Sequence, residues 1–228
     1  MYVVETWNGG SRSRENRLTG MGEVTPIVFV VDDDRSVRNS LALLIESADW
    51  QAETFGSARE FLERPRTSGP SCMLLDVFLP DLHGCELQRQ LADRPETPII
   101  VMSGCADIPV AAKAMKAGAV DFLSKPLATD ELLMAIRVAL DRSRAAISSA
   151  QVMRELLQSY ESLSPRQRQV MALVVEGRLN KQAGGELGIS EITVKAHRGN
   201  VMRKMNADSL PDLVRMADRL SGHRFPRA

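Results

Sequence analysis

Apolar and polar positions change period along this chain, and the change divides it. From Ile27 to about Leu140, short apolar runs alternate with amphipathic stretches. Ile27-Val28-Phe29-Val30-Val31 predicts a buried strand. The stretch 35–48 then places Val37, Leu41, Leu44 and Ile45 on one helical face. A short strand near 51–55 follows. Ser57-Ala58-Arg59-Glu60 reads as a capping box that opens a short helix. Residues 72–75 predict a third strand, with a helix from about 84. Residues 98–102 predict a fourth, with a helix near 107–117. Residues 119–123 form the fifth strand, and a fifth helix runs from Asp130 to about Arg144. Strands alternating with helices imply right-handed crossovers and a parallel sheet covered on both faces. The expected fold class is α/β, a doubly wound five-stranded parallel sheet in the order 2-1-3-4-5.

From Leu163 the pattern is purely helical. Ser164-Pro165-Arg166-Gln167 combines a cap, Pro at the first helical position and Gln completing a capping box. Val170, Leu173 and Val174 make an apolar face that ends at Gly177. A short helix spans about 180–187, and Gly188-Ile189-Ser190 makes a tight turn into a longer one, 191–205. Ser209-Leu210-Pro211-Asp212 opens a last helix. Two helices joined by a Gly-containing turn, the second rich in hydrogen-bonding side chains, is the helix-turn-helix pattern. The second domain is therefore expected to be an all-α, four-helix helix-turn-helix unit.

At 228 residues the chain is comfortable for two domains. The expected division is 25–140 and 161–222, with 141–160 between them. That stretch is polar, with spaced Ile147, Val152, Leu156 and Leu157, and reads either as an extension of the fifth helix or as a flexible linker. Residues 1–24 are polar and patternless, a disordered tail or a start-site artefact with Met21 as initiator. A formal net charge of zero hides an asymmetry: residues 25–140 hold 11 Lys+Arg against 17 Asp+Glu, and residues 160–228 hold 12 against 7. The basic half is the one suited to nucleic acid. No apolar run approaches the roughly 20 residues of a membrane helix. Residues 1–24 also lack the apolar centre of a secretory signal. Cys72, Cys85 and Cys105 are an odd set without metal spacing, so reduced thiols in a cytoplasmic protein that touches no membrane are expected.

The chemistry gathers at strand ends. Val31 is followed by Asp32-Asp33-Asp34, Leu75 by Asp76, and Met102 by Ser103-Gly104. In an open parallel sheet, such ends share one crevice where ligands bind. Asp76, closing an apolar run and followed by a Pro turn, is the candidate nucleophile; a carboxylate can accept a phosphoryl group as an acyl phosphate. Asp32, Asp33 and Asp76, with the backbone carbonyl of Phe78, suit Mg²⁺, which takes oxygen ligands. Lys125 can pair with a phosphoryl oxygen and Ser103 can donate a hydrogen bond to another. In helix 191–205, Lys195, His197, Arg198 and Asn200 are candidates for base edges or phosphates, with Thr193 beside them. Arg203 and Lys204 suit phosphates.

These residues carry a resemblance. Val30–Asp34, Leu74–Gly84, Val101–Gly104 and Phe122–Pro126 resemble the receiver domain of bacterial two-component response regulators. Leu163–Val170, Gly188–Arg198 and Val201–Met205 resemble the LuxR-type helix-turn-helix. Together they resemble the FixJ/NarL family of transcription factors, nearer its FixJ branch, a placement that Ala114–Phe122 supports. The resemblance implies that a sensor histidine kinase phosphorylates Asp76 with Mg²⁺ bound. Ser103 and Phe122 then switch inward, and the protein dimerises on promoter DNA to regulate transcription, activation being expected, with RNA polymerase as a further partner. The face from about Ile108 to Phe122, with Val110, Lys113, Ala114 and Lys116, is the expected dimer surface.

Enzymatic activity beyond Mg²⁺-dependent self-phosphorylation and slow self-dephosphorylation is not expected. A phosphohydrolase would need a second acid–base carboxylate beside the nucleophile, and Val77-Phe78 supplies none. Large Phe78 and non-activating Cys105 should slow hydrolysis of the acyl phosphate. The family usually has Ile-Ala where this chain has Ala183-Gly184, followed by Gly185. Two glycines in a helix cost about 1 kcal/mol each, so either neighbouring packing compensates or the domain is less stable. A phospho-signalling module whose helix-turn-helix has lost DNA binding is the alternative that this departure raises.

Overall fold

The computed structural model describes residues 25–104 and 108–222. The expected tail at 1–24 and Cys105 lie outside the described residues. The first part runs β1 (Ile27–Val31), α1 (Arg35–Ser47), β2 (Gln51–Phe55), α2 (Ala58–Glu63), β3 (Ser71–Asp76), α3 (Gly84–Gln90), β4 (Ile99–Ser103), α4 (Ile108–Lys116) and β5 (Asp121–Ser124). All pairings are parallel, in the order β2-β1-β3-β4-β5. Burial on both faces explains why β1, β3 and β4 carry near-continuous apolar runs. Val28, Val30, Cys72, Leu74, Ile100 and Met102 face a cluster shared with α1 and α5 (Thr129–Glu161). Phe29, Val31, Met73, Leu75, Val77 and Val101 face a second cluster under α2, α3 and α4.

Local chemistry sets the element ends. Asp34 caps α1, its carboxylate accepting from the Ser36 N–H at 2.7 Å. Ser57 caps α2 through the Glu60 N–H, but Glu60 accepts from Gly56 rather than from Ser57, so the expected box is only half formed. The fifth strand begins two residues later than expected. Gly118, at φ +92°, ends α4 in the left-handed conformation glycine tolerates, and Ala119 still donates back to Ala114.

Of the two readings of residues 141–160, the structure has the helical one: α5 is a helix of 33 residues. It contains neither Gly nor Pro, so no breaker stops it, and residues 141–160 extend the helix. Near the base of the sheet, Ser143 Oγ accepts from the Ser71 N–H at 2.9 Å, which fixes α5 to β3.

The last part is all helix: α6 (Pro165–Val175), α7 (Asn180–Leu187), α8 (Glu191–Lys204) and α9 (Leu210–Ser221). Ser164 and Gln167 form the full capping box on α6, and Ser190 caps α8. Val170, Met171, Val174, Val194, Val201 and Leu213 are buried together, and Leu156 from α5 joins them. Among the described residues, no helix is long and apolar enough to cross a membrane.

Candidate functional site

β1 and β3 lie side by side, with Val31 opposite Leu75, so Asp32 and Asp76 leave the sheet at neighbouring points. Asp76 pairs with Met102, which sets Ser103 on the adjoining strand end. Ser103 in turn pairs with Ser124, and the Lys125 N–H donates to the Ser103 carbonyl at 2.7 Å. The sheet thereby delivers all these groups to one crevice. Lys125 Nζ lies 2.6 Å from Asp32 Oδ2 and 3.0 Å from Asp76 Oδ1. Asp32, Asp76 and Ser103 are buried, while Asp33 is exposed. The Lys125–Pro126 peptide is cis.

Burial of Asp76 pushes its carboxyl pKa up; Lys125 opposes this and Asp32 adds to it. Burial alone would lower the Lys125 pKa, but its hydrogen bonds to Asp32 and Asp76 outweigh that and hold the ammonium above its usual range. One carboxylate oxygen from each of Asp32, Asp33 and Asp76 falls within 4.8 Å of the others. Three carboxylates converging at that separation are a hard-cation donor set, so the residues fit Mg²⁺.

Phe78, half exposed, donates its N–H to Asp76 Oδ2 at 3.3 Å, and its ring meets the His83 ring edge-on. Phe122 and Val110 are each half-buried against the second cluster. Ala114 is fully buried in that same cluster, so it is not part of the exposed surface expected around α4. Ile108 and Met115 are the large apolar side chains exposed there.

Three contributors went unread in the sequence. Arg38 Nη1 donates to the Asp32 carbonyl at 2.6 Å and steadies the β1–α1 turn. The Asp81 carboxylate accepts from the N–H groups of Ala58 and Arg59, at 3.2 and 2.9 Å, and ties the β3–α3 loop to α2. Gly84 sits where a Cβ would lie 2.4 Å from the Asp76 carbonyl, so only glycine lets α3 start this close to the strand end. A Gly eight residues after the candidate nucleophile was the available signal; Arg38 and Asp81 carried none.

On α8, Lys195 and Arg203 are exposed, and Arg203 Nη2 donates to Asn200 Oδ1 at 2.7 Å. Thr193 is exposed but bound into the helix cap through Ser190. His197 and Arg198 are half-buried, with Arg198 reaching Asn180 of α7 at 3.4 Å. Lys204 is exposed. Its ammonium donates to the Ser162 carbonyl at 2.6 Å and to Gln167 Oε1 at 3.1 Å, so it ties α8 to the α5–α6 turn.

Residues 28–137 match the response regulator receiver domain, and residues 161–217 match the bacterial regulatory proteins of the luxR family. The chain belongs to the LuxR-family response regulators. Among relatives of this family, it is 47% identical over 204 residues to the response regulator protein TodT of Pseudomonas putida, covering 89% of this chain and 90% of that one. It is 41% identical to the transcriptional regulatory protein FixJ of Bradyrhizobium diazoefficiens, over 84% of this chain and 94% of that one. The solved structure of the response regulator StyR superposes with a TM-score of 0.76 at 43% identity, covering 86% of this chain and all of that one. A LuxR-family response regulator is a transcription regulator, and its two domains imply a kinase as one partner and DNA as the other.

Proposed function

We propose that this response regulator accepts a phosphoryl group on Asp76 from a sensor histidine kinase, then pairs with a second copy and binds promoter DNA. The supporting observation is Lys125, whose ammonium sits against both buried carboxylates. An Asp76 oxygen forms the new bond to phosphorus, and the bond from phosphorus to the donor nitrogen breaks, its electron pair leaving with the donor. Lys125 offsets the charge that accumulates on the phosphoryl oxygens, and Ser103 donates to one of them. Asp32, Asp33, Asp76 and the Phe78 carbonyl would hold Mg²⁺, which supplies further positive charge to the incoming group.

The added dianion then biases a two-state element, with Ser103 and Phe122 drawn inward and the α4 face altered. Residues 25–140 act as the phosphoacceptor and 161–222 as the DNA reader, in the cytoplasm where promoters and RNA polymerase are met. Two linked readers gain effective concentration on two half-sites. Mass spectrometry after acetyl phosphate and Mg²⁺ treatment should show one added phosphoryl group in the wild type and none in Asp76→Asn. A normal yield from the variant would remove Asp76 from this role. Light scattering with beryllofluoride should show monomer becoming dimer as DNA affinity rises; a rise in affinity by a persistent monomer would replace pairing with release of inhibition.

A further inference from the structure

Ile192 is 82% exposed, more than any other large apolar side chain among the described residues. One exposed isoleucine needs no explanation by itself. Its surroundings give it one. Ile192, Ala196, Gly199 and Arg203 recur at helical spacing and fall in one column on the exposed side of α8, opposite buried Val194 and Val201. Gly199 lies mid-helix, where glycine costs about 1 kcal/mol relative to alanine. A Cβ added there would meet nothing within 4 Å, so nothing inside the fold requires the glycine. A surface that must come close to something outside the protein does require it.

The neighbouring polar side chains are already engaged. Thr193 is held by Ser190, Arg198 reaches Asn180, Asn200 accepts from Arg203, and Lys204 is drawn to Ser162 and Gln167. What remains outward at the N-terminal end of α8 is Glu191 and Ile192, then Lys195 and Ala196. The N-terminal residues of a recognition helix are the ones that meet base edges. In the major groove, thymine is the base that presents a methyl group, and an apolar side chain is its partner.

Resting on the DNA-binding reading above, we infer that Ile192 is a specificity-determining residue that contacts a thymine 5-methyl group, with Gly199 letting α8 sit deep enough in the groove for that contact. Exposed Lys195 lies beside the column and exposed Arg203 closes its C-terminal end, and both match the phosphate charge.

The test uses the full chain activated with beryllofluoride. Bound duplexes are selected from a random-sequence pool, and each thymine of the selected site is then replaced by deoxyuridine, which lacks only the methyl. Wild-type affinity should fall about fourfold at one position per half-site, the worth of one buried methyl. Ile192→Ser should bind the thymine and uracil duplexes equally. Gly199→Ala should raise the melting temperature and yet weaken binding to the selected site. Three results would overturn the inference: a selected site without thymine, no uracil effect in the wild type, or an equal uracil effect in Ile192→Ser. Unchanged binding by Gly199→Ala would overturn the close-approach role of that glycine. If the activated chain retained no duplex in a salt-sensitive manner, the DNA-binding reading itself would fall, and the inference with it.

Discussion

Lys125 stands between two buried carboxylates, and its removal should be felt differently at different pH. Asp76 already has a raised pKa, chiefly from burial. A carboxyl group whose folded pKa is raised opposes folding once the pH passes above that pKa, and the opposition vanishes below its unfolded value. Lys125→Met removes a cation that lowers the Asp76 pKa, so it widens the window of opposition upward. Urea unfolding at pH 7 should show a loss of about 3 kcal/mol, in the range found when one partner of a buried pair is deleted. The loss should shrink at acid pH, once Asp76 takes up a proton. An equal loss at both pH values would mean that packing of the lysine stem matters and its charge does not. Asp76 and Asp32 were legible in the sequence because a carboxylate closing an apolar run is a local signal. Asp81 and Lys204 were not. Their partners, Ala58 and Ser162, are 23 and 42 residues away, and only the tertiary fold brings them together.

Among the elements, α7 shows how one residue type can serve opposite ends. Read from sequence, Gly184 and Gly185 weaken the helix alike. In the fold they separate. A Cβ on Gly184 would lie 2.8 Å from the Ile189 carbonyl, in the turn that α7 packs against, whereas one on Gly185 would meet nothing within 4 Å. Neighbouring backbone thus compensates for the first glycine and leaves the second as a plain cost. Gly185→Ala should stabilise the chain by about 1 kcal/mol. Gly184→Ala should destabilise it, since a backbone oxygen must move to admit the methyl. Thermal melting of both variants decides the matter, and a stabilising Gly184→Ala would show that the turn yields easily. Element types and order were readable because period and caps are local properties. The start of β5 was not, because it is set by how α4 unwinds at Gly118, and the sequence left the length of α5 open between a helix and a linker.

Across the whole molecule, α5 belongs to two cores. Leu132, Ala135, Ile136, Ala139 and Leu140 lie in the cluster under the sheet, and Leu156, with Met153, Leu157 and Tyr160 around it, lies in the helix-turn-helix cluster. The unit that reads DNA therefore takes part of its core from upstream of residue 161. A fragment of residues 150–228 should melt cooperatively. One of residues 161–228 should be less stable by at least about 2 kcal/mol, the lower end for losing a buried leucine, and equal melting temperatures would count against a shared core. None of residues 144–152 belongs to either cluster, yet they remain helical. A helix transmits angle as well as distance. Each residue added or removed in that bridge turns one domain about 100° around the axis relative to the other and moves it about 1.5 Å. Seven added residues nearly restore the original bearing, within about 20°. Between the receiver and the LuxR-type domain, the bridge is a keyed shaft, and its length counts in turns.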